Sequence, residues 1–460
     1  MMDWSLTEIA RAVGGELRGR DRPCRGVSID SRSLEADNLF VALAGSHQDG
    51  HAFVEAARAG RAGGVLVSRA SGIQCESAII VAEPLSALGM LAHAWRRNLR
   101  APVAAITGSN GKTTVKNMLA TILGSNARVL ATAGNLNNRI GVPLTLLNGI
   151  DDPETIVLEL GTSAPGEIAL LGAMVEPDLA LVTNAQAAHL EGLGTIDQVA
   201  REKCALYEAL SDRGIAVLSA EDPYAPLWQE RIGGRRVVRF GLARGDIRFE
   251  APPRWDAEQK RWHGTVCAAG RSCPFELGLF GRHNTFNALA AIALAWAWSV
   301  PIETSARALA RFRPAARRLE CKTGPGGIEI LDDSYNANPQ SVMAGIDAAL
   351  ALGRPLWLAI GDLAELGSES IRWHRDLGRA ARERGVQRVY ATGPATRELI
   401  QGFGTGGQWF QTPGALLDQL DRDLAEGPAV ILVKGSHSSR MDEIADALSA
   451  KGGSDARLAH

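Results

Sequence analysis

The sequence lacks the features that mark several large classes of protein. Its six cysteines, Cys24, Cys75, Cys204, Cys267, Cys273 and Cys321, stand without metal-ligand or redox spacing. Neither a zinc site nor a disulfide framework is expected from them, and reduced thiols are. Charge of one sign is missing too: 49 Lys and Arg against 51 Asp and Glu leave a net charge of −2. That excludes the basic footprint of a nucleic-acid-binding protein. The longest apolar run, residues 288–298, is too short to cross a bilayer and suits a buried helix. The opening MMDWSLTEIARAVGG has neither the basic start nor the continuous apolar core of a signal peptide. There is no low-complexity segment and no solenoid repeat. A cytoplasmic globular protein of about three domains is therefore expected from 460 residues.

What is present centres on TGSNGKTT at 107–114, with an apolar strand-like run at 103–106 before it. After it, Val115, Met118, Leu119, Ile122 and Leu123 recur at helical spacing. Strand, glycine loop and helix aim backbone N–H groups and a helix N-terminus at one spot, which favours a phosphate group. Lys112 adds a charge and Thr113 a hydroxyl suited to magnesium. A nucleoside triphosphate is the expected ligand. The general phosphate-loop pattern would have glycine where Ile106 stands, so the motif is the shortened G-x-x-G-K-T.

Around this centre the pattern is α/β throughout. Ser5 and Glu8 form a capping box and Gly14 a stop, predicting a helix at 6–13. Apolar segments at 27–29, 39–43, 65–67 and 78–81 make a small α/β domain ending near residue 98. Its polar loops carry Ser31 and Arg32 after a strand, and Asp49 and His51 before a helix; binding groups or ordinary capping and turn chemistry both account for them. Residues 96–102 read as a linker. Strands at 156–160 and 179–183 lead to Glu159 and His189, and in a parallel sheet such ends gather at one edge. There the two side chains suit magnesium, although a solvent-facing carboxylate and a satisfied histidine are the plainer accounts.

On the next predicted helix, Lys203 falls on the apolar face of Ile196, Val199, Ala200, Leu206, Tyr207 and Leu210. Either its stem snorkels, or desolvation leaves a neutral amine able to take up carbon dioxide as a carbamate. His283, Asn284 and Asn287 open another helix, where they face anions at its positive end or Asn284 simply caps it. From 328 on, strands at 328–331, 356–360, 388–391 and 429–433 alternate with helices, as in a doubly wound domain. Asn338 and Pro339 start the first of these helices and Gly353 closes it. The last ten residues, 451–460, read as a frayed tail.

Further motifs run through the chain: GNLNNRIGVPLTLL (134–147), ELG with GEI (159–168), AAHLEGLGT (187–195), GRHNTFNALAA (281–291), LDDSYNANPQS (331–341), GDLAELG (361–367) and LVKGSHS (432–438). Together with the shortened phosphate loop they resemble the Mur ligase family over nearly the whole length. HLEG and DDSYNANP resemble its D-alanyl-D-alanine-adding branch. The resemblance implies three domains. These are a small α/β N-terminal UDP-sugar-binding domain (1–98), a central P-loop mononucleotide-binding parallel-sheet domain (99–313) and a C-terminal Rossmann-like doubly wound domain (314–460). It implies an ADP-forming carboxylate–amine ligase of peptidoglycan precursor synthesis, joining D-Ala-D-Ala to UDP-N-acetylmuramoyl-tripeptide through an acyl phosphate. A monomer, without nucleic-acid partner or stable membrane insertion, is expected.

By resemblance, ATP lies on Thr107, Gly108, Ser109, Asn110, Gly111, Lys112, Thr113 and Thr114. Thr113 and Glu159 hold Mg2+, and His189 with carbamylated Lys203 serves a second ion; Lys112, Glu159, His189 and Lys203 form the catalytic set. His283, Asn284 and Asn287 lie on the nucleotide side, and Arg318 and Asp333 reach ATP from the third domain. Ser31, Arg32, Asp49 and His51 face the UDP-sugar, and Asn336 the dipeptide. A sister ligase or folylpolyglutamate-type synthetase adding one amino acid is the nearest alternative. A nucleotide switch with the same loop is the alternative without catalysis.

Overall fold

The computed structural model describes residues 1–45, 48–73, 75–424, 427 and 430–458. Three large sheets succeed one another along the chain, beside a two-stranded antiparallel pair of Asp3–Ser5 with Pro23–Arg25. In the first, Glu16–Arg18, Ala78–Val81, Gly64–Ser68, Leu39–Val41 and Val27–Ser28 lie side by side, parallel apart from the first strand. The helix Leu6–Val13 packs here, with the Ser5 and Glu8 capping box and a left-handed Gly14 at its end. Sequence had both of its caps.

The second sheet has a parallel centre in the order Arg236–Gly241, Ile215–Ser219, Leu179–Val182, Val103–Thr107, Thr155–Glu159 and Val129–Ala131. Its strands are nearly all apolar because helices cover both faces. Beyond Ile247–Phe249 the sheet turns antiparallel through Arg254–Asp256, Arg261–Ala268 and Arg271–Leu277. The third sheet runs Glu320–Thr323, Glu329–Asp333, Val430–Lys434, Leu356–Ile360, Arg388–Thr392 and Gly407–Phe410, antiparallel only at the first pair. Residue 429, the expected start of its last predicted strand, lies outside the described residues.

Two expectations are corrected. Residues 96–98 are no linker but the end of the helix Pro84–Asn98. Arg96 is partly buried and donates to the carbonyls of Val175, Leu99 and Glu176, and one apolar core runs on from Met2, Leu6 and Leu88 to Val103, Leu158 and Leu171. The first two units are thereby packed as one body. Residues 451–458 are not a tail either: the helix Met441–Leu458 includes them, and only 459 and 460 fall outside the described residues. The helix predicted after Asn338 runs Pro339–Leu350 with the Asn338 cap in place, and Gly353 follows in the left-handed region.

Candidate active site

The phosphate loop joins the strand Val103–Thr107 to the helix Lys112–Leu123 at the C-terminal edge of the central sheet. Its two glycines are dictated by their neighbours. Gly108 has φ 144°, and a Cβ there would lie 1.8 Å from Thr183 Oγ1; at Gly111, φ 84°, it would lie 2.5 Å from Asn287 Oδ1. Inside the loop, Ser109 N–H donates to Asn184 O and Asn110 N–H to Asn184 Oδ1, both at 3.0 Å. These two groups, expected to face the ligand, are thus taken by the protein. The amides of 112–114, in the first turn of the helix, have no intrahelical acceptor and are the ones left to an anion. Lys112 arches back so that Nζ donates to Gly108 O at 2.7 Å. Burial lowers its pKa, opposed by the Glu159 carboxylate.

Next to the lysine, Thr113 Oγ1 donates to Glu159 Oε2 at 2.8 Å. Glu159 is buried, and its other oxygen accepts from Asn137 Nδ2 at 2.8 Å. Behind it, Glu159 N–H donates to Thr132 Oγ1, while Lys116 Nζ donates to Thr132 O at 2.6 Å. A hydroxyl and a carboxylate pinned together in this way form a hard oxygen donor set.

Lys203 sits on the helix Ile196–Glu208 with no exposed surface, and its Nζ has no hydrogen-bond partner. Burial drives its pKa well below the ordinary lysine value, and the charge of Lys112 adds to the effect. Its stem therefore does not snorkel. His189, at φ 57°, begins the short helix Leu190–Leu193, and its Nδ1 lies 2.5 Å from Glu365 Oε2 without hydrogen-bond alignment. This contact holds the Glu365 carboxyl below its ordinary pKa.

The third unit closes over the loop. Arg318 Nη2 donates to Thr113 Oγ1 at 3.0 Å, and its guanidinium lies over the Tyr335 ring. Asp333 pairs with Lys434, whose buried Nζ is 2.6 Å from Oδ2 and 3.1 Å from Asn336 O. Asn336 is exposed, its side chain turned onto Ala337 N–H. On the helix His283–Ala297, Asn284 is not the cap: its Nδ2 donates to Phe280 O, its Oδ1 accepts from Asn287 Nδ2, and Asn287 in turn backs Gly111. These asparagines prop the loop from behind. His283 retains exposed surface, and desolvation lowers its pKa, opposed by the Asp333 carboxylate.

The N-terminal residues stand apart. Arg32 pairs with Asp30, next to Ser31. His51 Nε2 accepts from Ser68 N–H, which puts the ring proton on Nδ1, 2.6 Å from Asp49 Oδ1. No hydrogen bond among the described residues joins either loop to the phosphate loop. A cavity of about 280 Å³ beside the first of these loops, lined by Ser28, Asp30, Ser33, Asn38 and Asn148, lies where the first unit meets the central one. Asn137 and Glu365 are site residues that motif reading had within GNLNN and AELG but did not single out. Each is found through a partner remote in sequence.

The chain matches three family models, described as the Mur ligase family catalytic domain at 23–96, the Mur ligase middle domain at 106–295 and the Mur ligase glutamate ligase domain at 317–437. An Escherichia coli (strain K12) protein named UDP-N-acetylmuramoyl-tripeptide--D-alanyl-D-alanine ligase is 38% identical, over 98% of this chain and all of that protein. A crystal structure of MurF from Acinetobacter baumannii superposes with TM-score 0.92 at 29% identity, covering 98% of this chain and 100% of that one. A MurF ligase from Thermotoga maritima, in complex with ADP, does so with TM-score 0.83 at 25% identity, covering 94% and 98%. With full-length similarity, a three-domain α/β fold and the phosphate loop in agreement, the chain belongs to the Mur ligase family.

Proposed function

We propose that this protein joins D-Ala-D-Ala to UDP-N-acetylmuramoyl-tripeptide, converting ATP to ADP and phosphate. The observation that carries the reading is the junction at Thr113, where Glu159, Lys112 and, from the third unit, Arg318 meet. The names of the full-length relatives support the same substrates. In this reading the terminal carboxylate of the tripeptide attacks the γ-phosphorus and ADP leaves. The D-Ala-D-Ala amine then attacks the acyl carbon, expels phosphate and loses one proton, leaving an amide.

The chain's own residues account for the demands of that chemistry. Two anions must approach, so positive charge close by lowers the barrier; Lys112 and Arg318 supply it. The acyl phosphate must be kept from water, and a crevice between units that can close does this. Thr113 and Glu159 suit magnesium, which when bound would neutralise charge on the phosphates. Lys203, a buried amine without a partner, suits carbamylation, and the carbamate together with His189 would face a second ion. His283 and Asp333 line the nucleotide side, with Asn284 and Asn287 behind the loop. We assign 1–98, with Ser31, Arg32, Asp49 and His51, to the UDP-sugar, 99–313 to ATP and 314–460, with Asn336, to the dipeptide. Mass spectrometry of the product tests the reading: one D-Ala-D-Ala added with loss of water supports it. A product extended by a single amino acid, or nucleotide hydrolysis without any product, overturns it.

A further inference from the structure

Asn110 was expected to serve the nucleotide, yet its side chain is spent on the protein. Its Nδ2 donates to Gln186 Oε1 at 2.6 Å and to Asn338 Oδ1 at 3.2 Å, and its Oδ1 accepts from Asn338 Nδ2 at 2.8 Å. Both of its N–H bonds are used. Its backbone carbonyl accepts from Thr183 Oγ1 and Asn184 Nδ2. The partner, Asn338, lies 228 residues further on, in the third unit. There its Oδ1 also accepts from Ser341 N–H at 2.9 Å, capping the helix Pro339–Leu350. That cap fixes which end of the Asn338 amide is oxygen. The reciprocal pair can therefore form in only one orientation, with Asn338 Nδ2 on Asn110 Oδ1 and Asn338 Oδ1 shared between Asn110 Nδ2 and the helix N-terminus.

We propose that Asn338 is a positioning residue for the ligation: its amide latches the third unit to the tip of the phosphate loop and aligns the two. The pair joins the loop on which ATP is proposed to lie to the 331–341 segment that carries Asp333 and Asn336. This inference rests on the proposed ligase reading for its substrates, but not for its geometry. A reciprocal amide pair is lost when either partner goes, so the two positions behave as one unit. A helix cap, in contrast, needs only an oxygen at 338.

Asn338→Ser separates the two roles, since serine caps but has no amide N–H to give Asn110. The test is a double-mutant cycle of Asn338→Ser with Asn110→Ala in the full-length protein. It is read on kcat/KM for D-Ala-D-Ala and on fluorescence energy transfer between dyes on the central and third units with ADP and Mg2+ present. Asn338→Ser is expected to leave the melting temperature unchanged, to lower kcat/KM about tenfold and to reduce the closed fraction. In the Asn110→Ala background it is expected to lower neither kcat/KM nor the closed fraction further. Additive effects, or unchanged energy transfer in Asn338→Ser, would overturn the latch while leaving the ligase reading intact. If the wild type fails to ligate D-Ala-D-Ala, that reading falls, and the energy-transfer cycle still decides the latch.

Discussion

Lys203→Met separates what the buried lysine costs the fold from what it gives to catalysis. A buried polar group with no partner costs about 1–3 kcal/mol, and the Nζ has neither partner nor exposure. Methionine fills nearly the same volume without the amine. In buffer freed of carbon dioxide the variant should then be the more stable protein. At about 2–4 °C per kcal/mol for a domain of this size, the gain is about 2–12 °C in Tm. Phosphate release, however, should fall by about 10²–10³-fold, the usual effect of deleting one group that stabilises charge in a closed site. Bicarbonate should raise the Tm of the wild type and leave that of the variant unmoved, since only the wild type has an amine to carbamylate. The pH dependence has a fixed sign. The folded pKa lies below the unfolded one, so between the two values unfolding takes up a proton. Wild-type stability therefore rises with pH across that window, up to the ordinary lysine range, and the variant lacks this slope. Differential scanning calorimetry with and without bicarbonate, paired with a phosphate-release assay, measures all of this. A wild-type Tm indifferent to bicarbonate together with full turnover in the variant would refute the carbamate.

Other expectations follow from single contacts. Gly108→Ala places a methyl group where Thr183 Oγ1 stands, and displacing the loop by about 1 Å should cut turnover about 10²-fold; steady-state kinetics checks it. Asn137→Ala removes the partner of Glu159 Oε1 and should raise the Mg2+ concentration for half-maximal activity about 10–100-fold, with the fold intact by circular dichroism. Lys434→Met strands Asp333 in a largely buried pair and should destabilise the third unit by about 3–5 kcal/mol. Denaturant titration should find part of that loss recovered in Lys434→Met with Asp333→Asn.

The parts of the site legible in sequence were those fixed by local spacing. The shortened glycine motif marked the loop, helical periodicity put Lys203 on a buried face, and a capping box marked Leu6–Val13. Side-chain partners across elements were not legible, because spacing along the chain carries no record of which loops meet. Asn284 and Asn287 belong here: at the positive end of a helix they read as anion-facing, whereas they form a prop against Gly111. Arg96 shows the converse, since a basic, proline-closed segment looks solvent-bound until carbonyls from the 175–176 turn are found around its guanidinium. Glu365 could be seen as part of a motif but not as the neighbour of His189.

The most direct test of the ligase reading is phosphate release from ATP with UDP-N-acetylmuramoyl-tripeptide, with and without D-Ala-D-Ala. The account predicts sustained release only when both are present, with one phosphate per amide formed. Equal release with a single amino acid in place of the dipeptide, or release that ignores both substrates, would contradict it.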